Sequence, residues 1–169
     1  MKERNIFLKA ILPGFLLISL AYLYLTTMAS GLTWANGGSD GGDLITAAAT
    51  GGIAHPSGYP LFLLLARFFQ LLPVSSLAFR TNLMSAFFAV LTALLVYKIV
   101  HRYLLLELGE GTASIAGLSA GYATGLSPLF WSQAVITEVY TLHAFLTALV
   151  LYTLLTWEST RQSKHLVSM

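Results

Sequence analysis

The sequence contains no cysteine, so a disulfide framework, a thiolate metal centre and a cysteine nucleophile are all excluded. Charge is nearly as scarce. Charged residues make up 9% of the 169 residues and hydrophobic ones 56%, too little charge to solvate a globular surface of normal design, and the chain is read as an integral membrane protein. A formal net charge of +2 is too small to indicate a nucleic-acid partner. The sequence also lacks a dinucleotide-binding Gly-x-Gly-x-x-Gly element and a P-loop. His55, His101, His143 and His165 show no metal-ligand spacing, so no metal site is assigned to side chains.

What remains is a series of apolar runs. Ala10–Met28 is an uncharged stretch long enough to cross a hydrocarbon core of ~30 Å, with Pro13 a candidate kink. A cleaved signal peptide is the rival reading, but the apolar run exceeds the usual ~7 to 15 residues. Leu61–Leu72 is bracketed by Pro60 and Pro73, is broken by Arg67, and as a helix rises only about 18 Å. It is read as an interfacial or embedded helix. Thr81–Val100 is the next span, with Lys98 able to snorkel. A turn over Leu106–Thr112 leads to the uncharged stretch Ala113–Thr137, which Ser127-Pro128 ends. There Gly117, Gly121 and Gly125, spaced by four, make a face for close helix approach. Val139–Trp157 is the last span, and 158–169 is a polar tail.

The basic residues set the topology, because Lys and Arg accumulate on the cytoplasmic side of short loops. With four spans, Lys2, Arg4, Lys9, Lys98, Arg102, Arg161 and Lys164 all lie inside, as do both termini, leaving Arg67 and Arg80 of the nine basic residues outside. If Leu61–Leu72 also crossed, the later basic residues would move outside. The four-span arrangement puts Asp40, Asp43, His55 and Glu138 together on the non-cytoplasmic side, although the acids were not used in the counting.

Asp40 and Asp43 flank Gly41-Gly42, which lets the backbone turn sharply near a ligand. A helix opened by Asp43 places Leu44, Ile45, Ala47 and Ala48 on one apolar stripe. The rival reading is that both acids only cap that helix. Tyr140, Trp131 and Trp34 suit interfacial anchors.

Several ordered motifs, from the first span onward, carry a family resemblance. These are Ser-Asp-Gly-Gly-Asp-Leu-Ile-Thr-Ala-Ala at 39–48, His-Pro-Ser-Gly-Tyr-Pro-Leu-Phe-Leu-Leu-Leu at 55–65, Ala-Phe-Arg-Thr-Asn-Leu-Met-Ser-Ala at 78–86, and Phe-Trp-Ser-Gln-Ala-Val-Ile-Thr-Glu-Val-Tyr-Thr-Leu at 130–142. Together they resemble the DUF2723 group of polytopic membrane proteins, relatives of protein O-mannosyltransferases.

The resemblance implies an all-α, GT-C-like membrane glycosyltransferase domain over 1–169. It has four spanning helices, an external acidic loop at 29–60 with juxtamembrane helices, and a polar cytoplasmic tail. It further implies transfer of a sugar from a polyprenyl-phosphate donor to an acceptor on the non-cytoplasmic face. Asp40 and Asp43 match the catalytic acids, with Asp43 where Glu is commoner; His55, Pro56, Gly58 and Pro60 match a His-Pro-x-Gly-x-Pro element; Glu138 and Tyr140 match a Glu-Val-Tyr element.

Inverting glycosyl transfer needs a base on the acceptor hydroxyl, and a carboxylate within hydrogen-bond reach supplies one. Asp40 is the expected base, and Asp43 or Glu138 is expected to orient the acceptor or, through a divalent cation, the donor phosphate. Arg67 and Arg80 are candidates to pair with that phosphate, Arg67 having interfacial snorkelling as its rival reading. Because the architecture has more than four spans, the chain corresponds to the N-terminal portion, and a downstream-encoded membrane chain is a candidate partner. The alternative is a non-catalytic assembly subunit using the glycine face, or a transporter fragment.

Overall fold

In a computed structural model the backbone is described for residues 2–167 and the side chains for 11–158; Ser168 and Met169, which end the polar tail, lie outside the described residues. No strand occurs among the described residues. Helix α1 (Lys2–Thr27) runs through Pro13 without interruption. A single 3-10 turn (Ala35–Gly37) precedes α2 (Gly41–Thr50), and α3 (Pro60–Gln70) opens on the proline expected to bound it. Then come α4 (Leu77–Gly125), α5 (Pro128–Ala134) and α6 (Tyr140–Val167).

The 49 residues of α4 are not one rod, because Gly109 adopts φ 72°, ψ 169° inside it. A side-chain-bearing residue is strained at that φ, and glycine is not. The chain folds back there. A Cβ on Gly117 would stand 2.8 Å from the Tyr97 carbonyl oxygen, and one on Gly121 3.1 Å from that of Ala93. Numbers therefore rise along one arm as they fall along the other, and 77–108 and 110–125 form an antiparallel hairpin. The His101 ring meets Glu110 across its closed end, Nε2 to Oε1 3.0 Å. The expected turn over Leu106–Thr112 thus contracts to one glycine.

Other helices continue this alternation. Leu16 and Leu20 of α1 lie against Gly121 and Gly125, so α1 runs parallel to the second arm. Ser19 Oγ and Tyr122 Oη are 2.6 Å apart, and Tyr24 Oη donates to the Gly125 carbonyl at 2.7 Å. Phe145 of α6 packs on Phe88, and Tyr152 lies nearest Lys98, so α6 runs parallel to the first arm. That arm is shared by both apolar clusters. On one side Ala86, Ala89 and Ala93 meet Leu16, Leu20 and Tyr24; on the other Met84 and Phe88 meet Leu44, Phe62 and Leu142.

Among the described residues two helices are long and apolar enough to cross a membrane, α4 and the Tyr140–Glu158 part of α6, where the sequence suggested four spans. The difference has two origins. The 49-residue α4 is folded at Gly109, and the described apolar part of α1, Ile11–Thr27, is a shorter helix. Within Ala113–Thr137 the helix stops at Gly125, just before the expected Ser127-Pro128 break, and α5 is a separate short helix beyond it.

The hairpin contact yields a stability test. Adding a methyl group at Gly117, against main chain that cannot rotate away, should cost about 1–3 kcal/mol. Gly111→Ala, with no neighbouring atom within 4 Å, should leave stability unchanged or raise it by up to about 1 kcal/mol through helix propensity. Thermal unfolding of the two variants in detergent micelles checks the contrast.

Candidate functional site

The site begins at the N-terminus of α2. Asp40 is its N-cap residue, and the helix starts two residues earlier than an opening at Asp43 would give. Asp40 makes no side-chain capping bond; its Oδ1 instead accepts from the Ser39 hydroxyl at 3.1 Å. The capping reading therefore fails for this carboxylate. Asp43 lies in the first turn, where the helix dipole favours an anion. Gly41, Leu44, Ala47 and Ala48 face inward, while Ile45 is only half-buried.

His55 reaches Asp43 across the loop after α2. Its backbone N–H donates to Asp43 Oδ2 at 2.9 Å, and its Nδ1 lies 2.7 Å from the same oxygen. That places Nε2 on the far side of the ring, 3.6 Å from Asp40 Oδ2. The ring edge also meets Tyr59, centroids 5.2 Å apart. His55 thus stands between two carboxylates.

Glu138 enters from the segment between α5 and α6. It is 4% exposed, and its main chain is held by Ser85, whose hydroxyl lies 3.3 Å from the Glu138 carbonyl oxygen and 3.4 Å from its amide nitrogen. Behind it, Asn82 binds two segments at once. Its Nδ2 donates to the carbonyls of Ala29 and Gly31 at 2.9 and 3.2 Å, and its Oδ1 accepts from the Thr137 hydroxyl at 2.6 Å. Gly41 packs on Thr137, so the acidic helix start rests against this same segment.

The three acids sit in different electrostatic surroundings. The His55 backbone N–H, and then its ring, hold the Asp43 carboxyl below its ordinary 3.8. The hydrogen bond to Asp43, assisted by the charges of Asp40, Asp43 and Glu138, raises the His55 imidazole above 6.5. Burial, and then the nearby Asp40 charge, push Glu138 above its ordinary 4.5. The arrangement thus offers a carboxylate that stays ionised to lower pH, an imidazole that keeps its proton to higher pH, and a buried acid that does the same. Among the described residues, no group of three or more His, Asp or Glu side chains is arranged to hold a metal ion.

The two arginines do not join this cluster. Arg67 Nη1 donates to the Ala48 and Ala49 carbonyls at 3.0 and 2.8 Å, at the opposite end of α2 from the acids. Arg80 donates to the carbonyls of Gln70, Val74 and Ser75, fastening the turn between α3 and α4. Arg67 also lines a groove of about 470 Å³ between α2 and α3, whose walls include Gly51, Ile53, Gly58, Leu63 and Leu64.

Tyr140 opens α6, 60% exposed, on the rim of a second pocket of about 570 Å³. Trp131, assigned to the interface from sequence, turns inward: its Nε1 donates to Thr27 Oγ1 at 3.1 Å and its ring packs edge-on against Tyr24. Sequence reasoning passed over Asn82, Ser85 and Thr137. The available signal was polar residues at 81, 82 and 85 inside an otherwise apolar span.

The family model described as "Protein O-mannosyl-transferase TMEM260 N-terminal domain" matches residues 40–168. The mouse protein O-mannosyl-transferase TMEM260 is 34% identical over 128 residues, 75% of this chain and 17% of the relative. The Dictyostelium discoideum protein O-mannosyl-transferase tmem260 is 29% identical over 118 residues, 68% of this chain and 14% of the relative. The chain therefore spans only a small part of the length of these relatives. No solved structure matches it.

The Asp43–His55 pair has a defined pH window. A raised imidazole pKa contributes stability that is complete below 6.5 and is lost as pH rises through the folded value; a lowered carboxyl pKa contributes stability present above 3.8 and lost as pH falls through the folded value. Both contributions are complete between those limits. In NMR titration the His55 ring should show a midpoint above 6.5 that moves back toward the ordinary value in Asp43→Asn. An unchanged midpoint in the variant would mean that Asp43 does not hold the ring.

Proposed function

The chain belongs to the protein O-mannosyl-transferase TMEM260 N-terminal domain family, and we propose that it carries the catalytic loop of a GT-C-type glycosyltransferase. In this reading four helices span the bilayer: α1, the two arms of α4, and α6. Both termini are cytoplasmic and the acidic cluster faces the other side. The alternation of helix direction supports it, as does the sorting of Lys98 and Arg102 to the hairpin end away from the acids.

The observation that carries the proposal is the convergence of Asp40, Asp43, His55 and Glu138 from three separate segments. Asp40 is an N-cap carboxylate that spends nothing on its helix, which suits a group reserved for a substrate. As general base it takes the proton of the acceptor hydroxyl. The acceptor oxygen bonds to the sugar's anomeric carbon, and the bond from that carbon to the phosphate oxygen breaks, releasing polyprenyl phosphate with its electron pair. Asp43 holds the His55 imidazole, whose Nε2 faces Asp40 and orients it. Glu138, buried beside them, serves as the second acid for positioning substrate hydroxyls.

The donor fits the groove between α2 and α3. Its walls are apolar and its glycines admit a close approach of the polyprenyl chain, while Arg67, bonded to the Ala48 and Ala49 carbonyls at the far end of α2, attracts the anionic donor into the groove without holding the phosphate at the reacting bond. The remaining mass of the enzyme, and with it the rest of the active site, is supplied by further membrane segments or a partner chain.

Transfer of labelled mannose from a polyprenyl-phosphate donor, in membranes containing the chain and the segments that complete it, tests this. Asp40→Asn should reduce transfer by about 10²–10⁴-fold, the range for loss of a positioned general base. Full transfer by that variant would remove Asp40 from the mechanism and favour a non-catalytic assembly role.

A further inference from the structure

Helix α6 uses only one side to pack on the rest of the molecule. Leu142 and Phe145 join the cluster around Phe88, and Tyr152 lies nearest Lys98, so that side faces the first arm of α4. On the opposite side His143, Thr147, Val150, Leu154 and Trp157 are all exposed. Their numbers step by four, three, four and three, the spacing at which one helix presents a continuous seam to another. Helix α1 carries an exposed seam of the same spacing, Ile11, Phe15, Ile18, Tyr22 and Leu25.

The two seams differ in chemistry. Along α1 the one polar group is the Tyr22 hydroxyl, near the helix end, where an interfacial aromatic belongs. Along α6 the seam holds an imidazole and a hydroxyl, and among the described residues neither the His143 nor the Thr147 side chain makes a hydrogen bond or ion pair. Thr26, Thr92, Thr124 and Thr153 instead donate to carbonyls of their own helices three or four residues back. Thr147 lies seven residues beyond Tyr140, about 10 Å along the helix axis, which is inside the oil when four helices span. A hydroxyl without a partner is costly there, and lipid tails offer none. Between membrane helices, threonine and histidine side chains find partners by bonding across the interface. The matched stretch is 17% of one relative and 14% of the other, so most of an enzyme of that length lies outside the matched part.

We infer that the α6 seam from His143 to Trp157 receives a membrane-spanning helix of the segments that complete the enzyme, one that sets a hydrogen-bonding side chain against His143 and Thr147, while the α1 seam faces lipid. The inference rests on the four-span reading and adds to it the face on which the rest of the enzyme is built. Because α6 opens two residues after Glu138, a helix seated on this seam brings one end to the segment that carries the buried acid.

The test places a photoreactive benzoylphenylalanine at Val150, or at Ile18 for comparison, in membranes containing the chain and the segments that complete it, and maps the adducts by mass spectrometry. An adduct at 150 to a membrane-spanning segment of the enzyme outside residues 1–169, with lipid adducts only at 18, is expected. Lipid alone at 150, or a second, differently tagged copy of this chain there, would overturn the assignment, as would capture of the completing segments at 18 and not at 150. Failure to capture lipid at 18 would remove the four-span reading and the assignment with it, whereas lipid alone at both positions would remove the assignment only. Capture does not depend on turnover, so loss of the catalytic role of Asp40 would leave this outcome unaffected. Thr147→Val should lower the Tm of the complete enzyme by about 1–3 °C, because the side chain docked against the hydroxyl loses its partner. A Tm unchanged or raised would mean that the hydroxyl faces oil, and would also overturn the assignment.

Discussion

The hydrogen bonds of Asn82 hold together the end of this molecule that carries the acids. The side chain is 2% exposed in a mostly apolar surrounding, and all three of its bonds are spent on segments outside its own helix. Two join it to the chain leaving α1, and the third joins it to Thr137, next to Glu138. An amide buried away from water costs free energy unless it is paired, so each segment is pinned by the penalty of leaving that amide unsatisfied. Ser85 repeats the device one turn later on the Glu138 main chain. Buried irregular backbone is tolerated where its polar groups are paired in this way.

On that platform the chemistry is divided by charge. Asp40 and Asp43, with His55 against them, occupy the start of α2, where the helix dipole favours anions. The arginines occupy helix ends and turns, where carbonyl oxygens gather. The two pockets differ in the same manner: among the described residues one is lined by a guanidinium and the other by neutral groups.

Much of the fold was legible from sequence because apolar run length and proline placement report directly on helices crossing oil. The Pro60 start of α3 and the close-packing role of Gly117, Gly121 and Gly125 were visible as punctuation and spacing. The reversal at Gly109 was only approximate: Leu106–Thr112 carries two further charged residues, and nothing in its composition marks which glycine takes positive φ. In the site, the acids were found by their scarcity, since a carboxylate in such a chain needs a reason. Their bonding was not legible. That His55 holds Asp43 by two hydrogen bonds depends on how the 51–55 loop returns to α2, and spacing alone does not report it. Nor does sequence reveal that Arg67 and Arg80 are engaged by main-chain carbonyls, because the acceptors are backbone and not side chains. Asn82 was hidden for a related reason: its partners are distant in sequence and mostly main chain.

As the proposed general base, Asp40 faces the bond being made and broken. A structure of the complete enzyme with a non-transferable polyprenyl-phosphonate sugar analogue tests it most directly. The account predicts the sugar at the N-terminus of α2, its anomeric carbon separated from Asp40 by the space of one hydroxyl group, with the phosphonate on the α3 side. An analogue bound with its sugar remote from Asp40, His55 and Glu138 would contradict it.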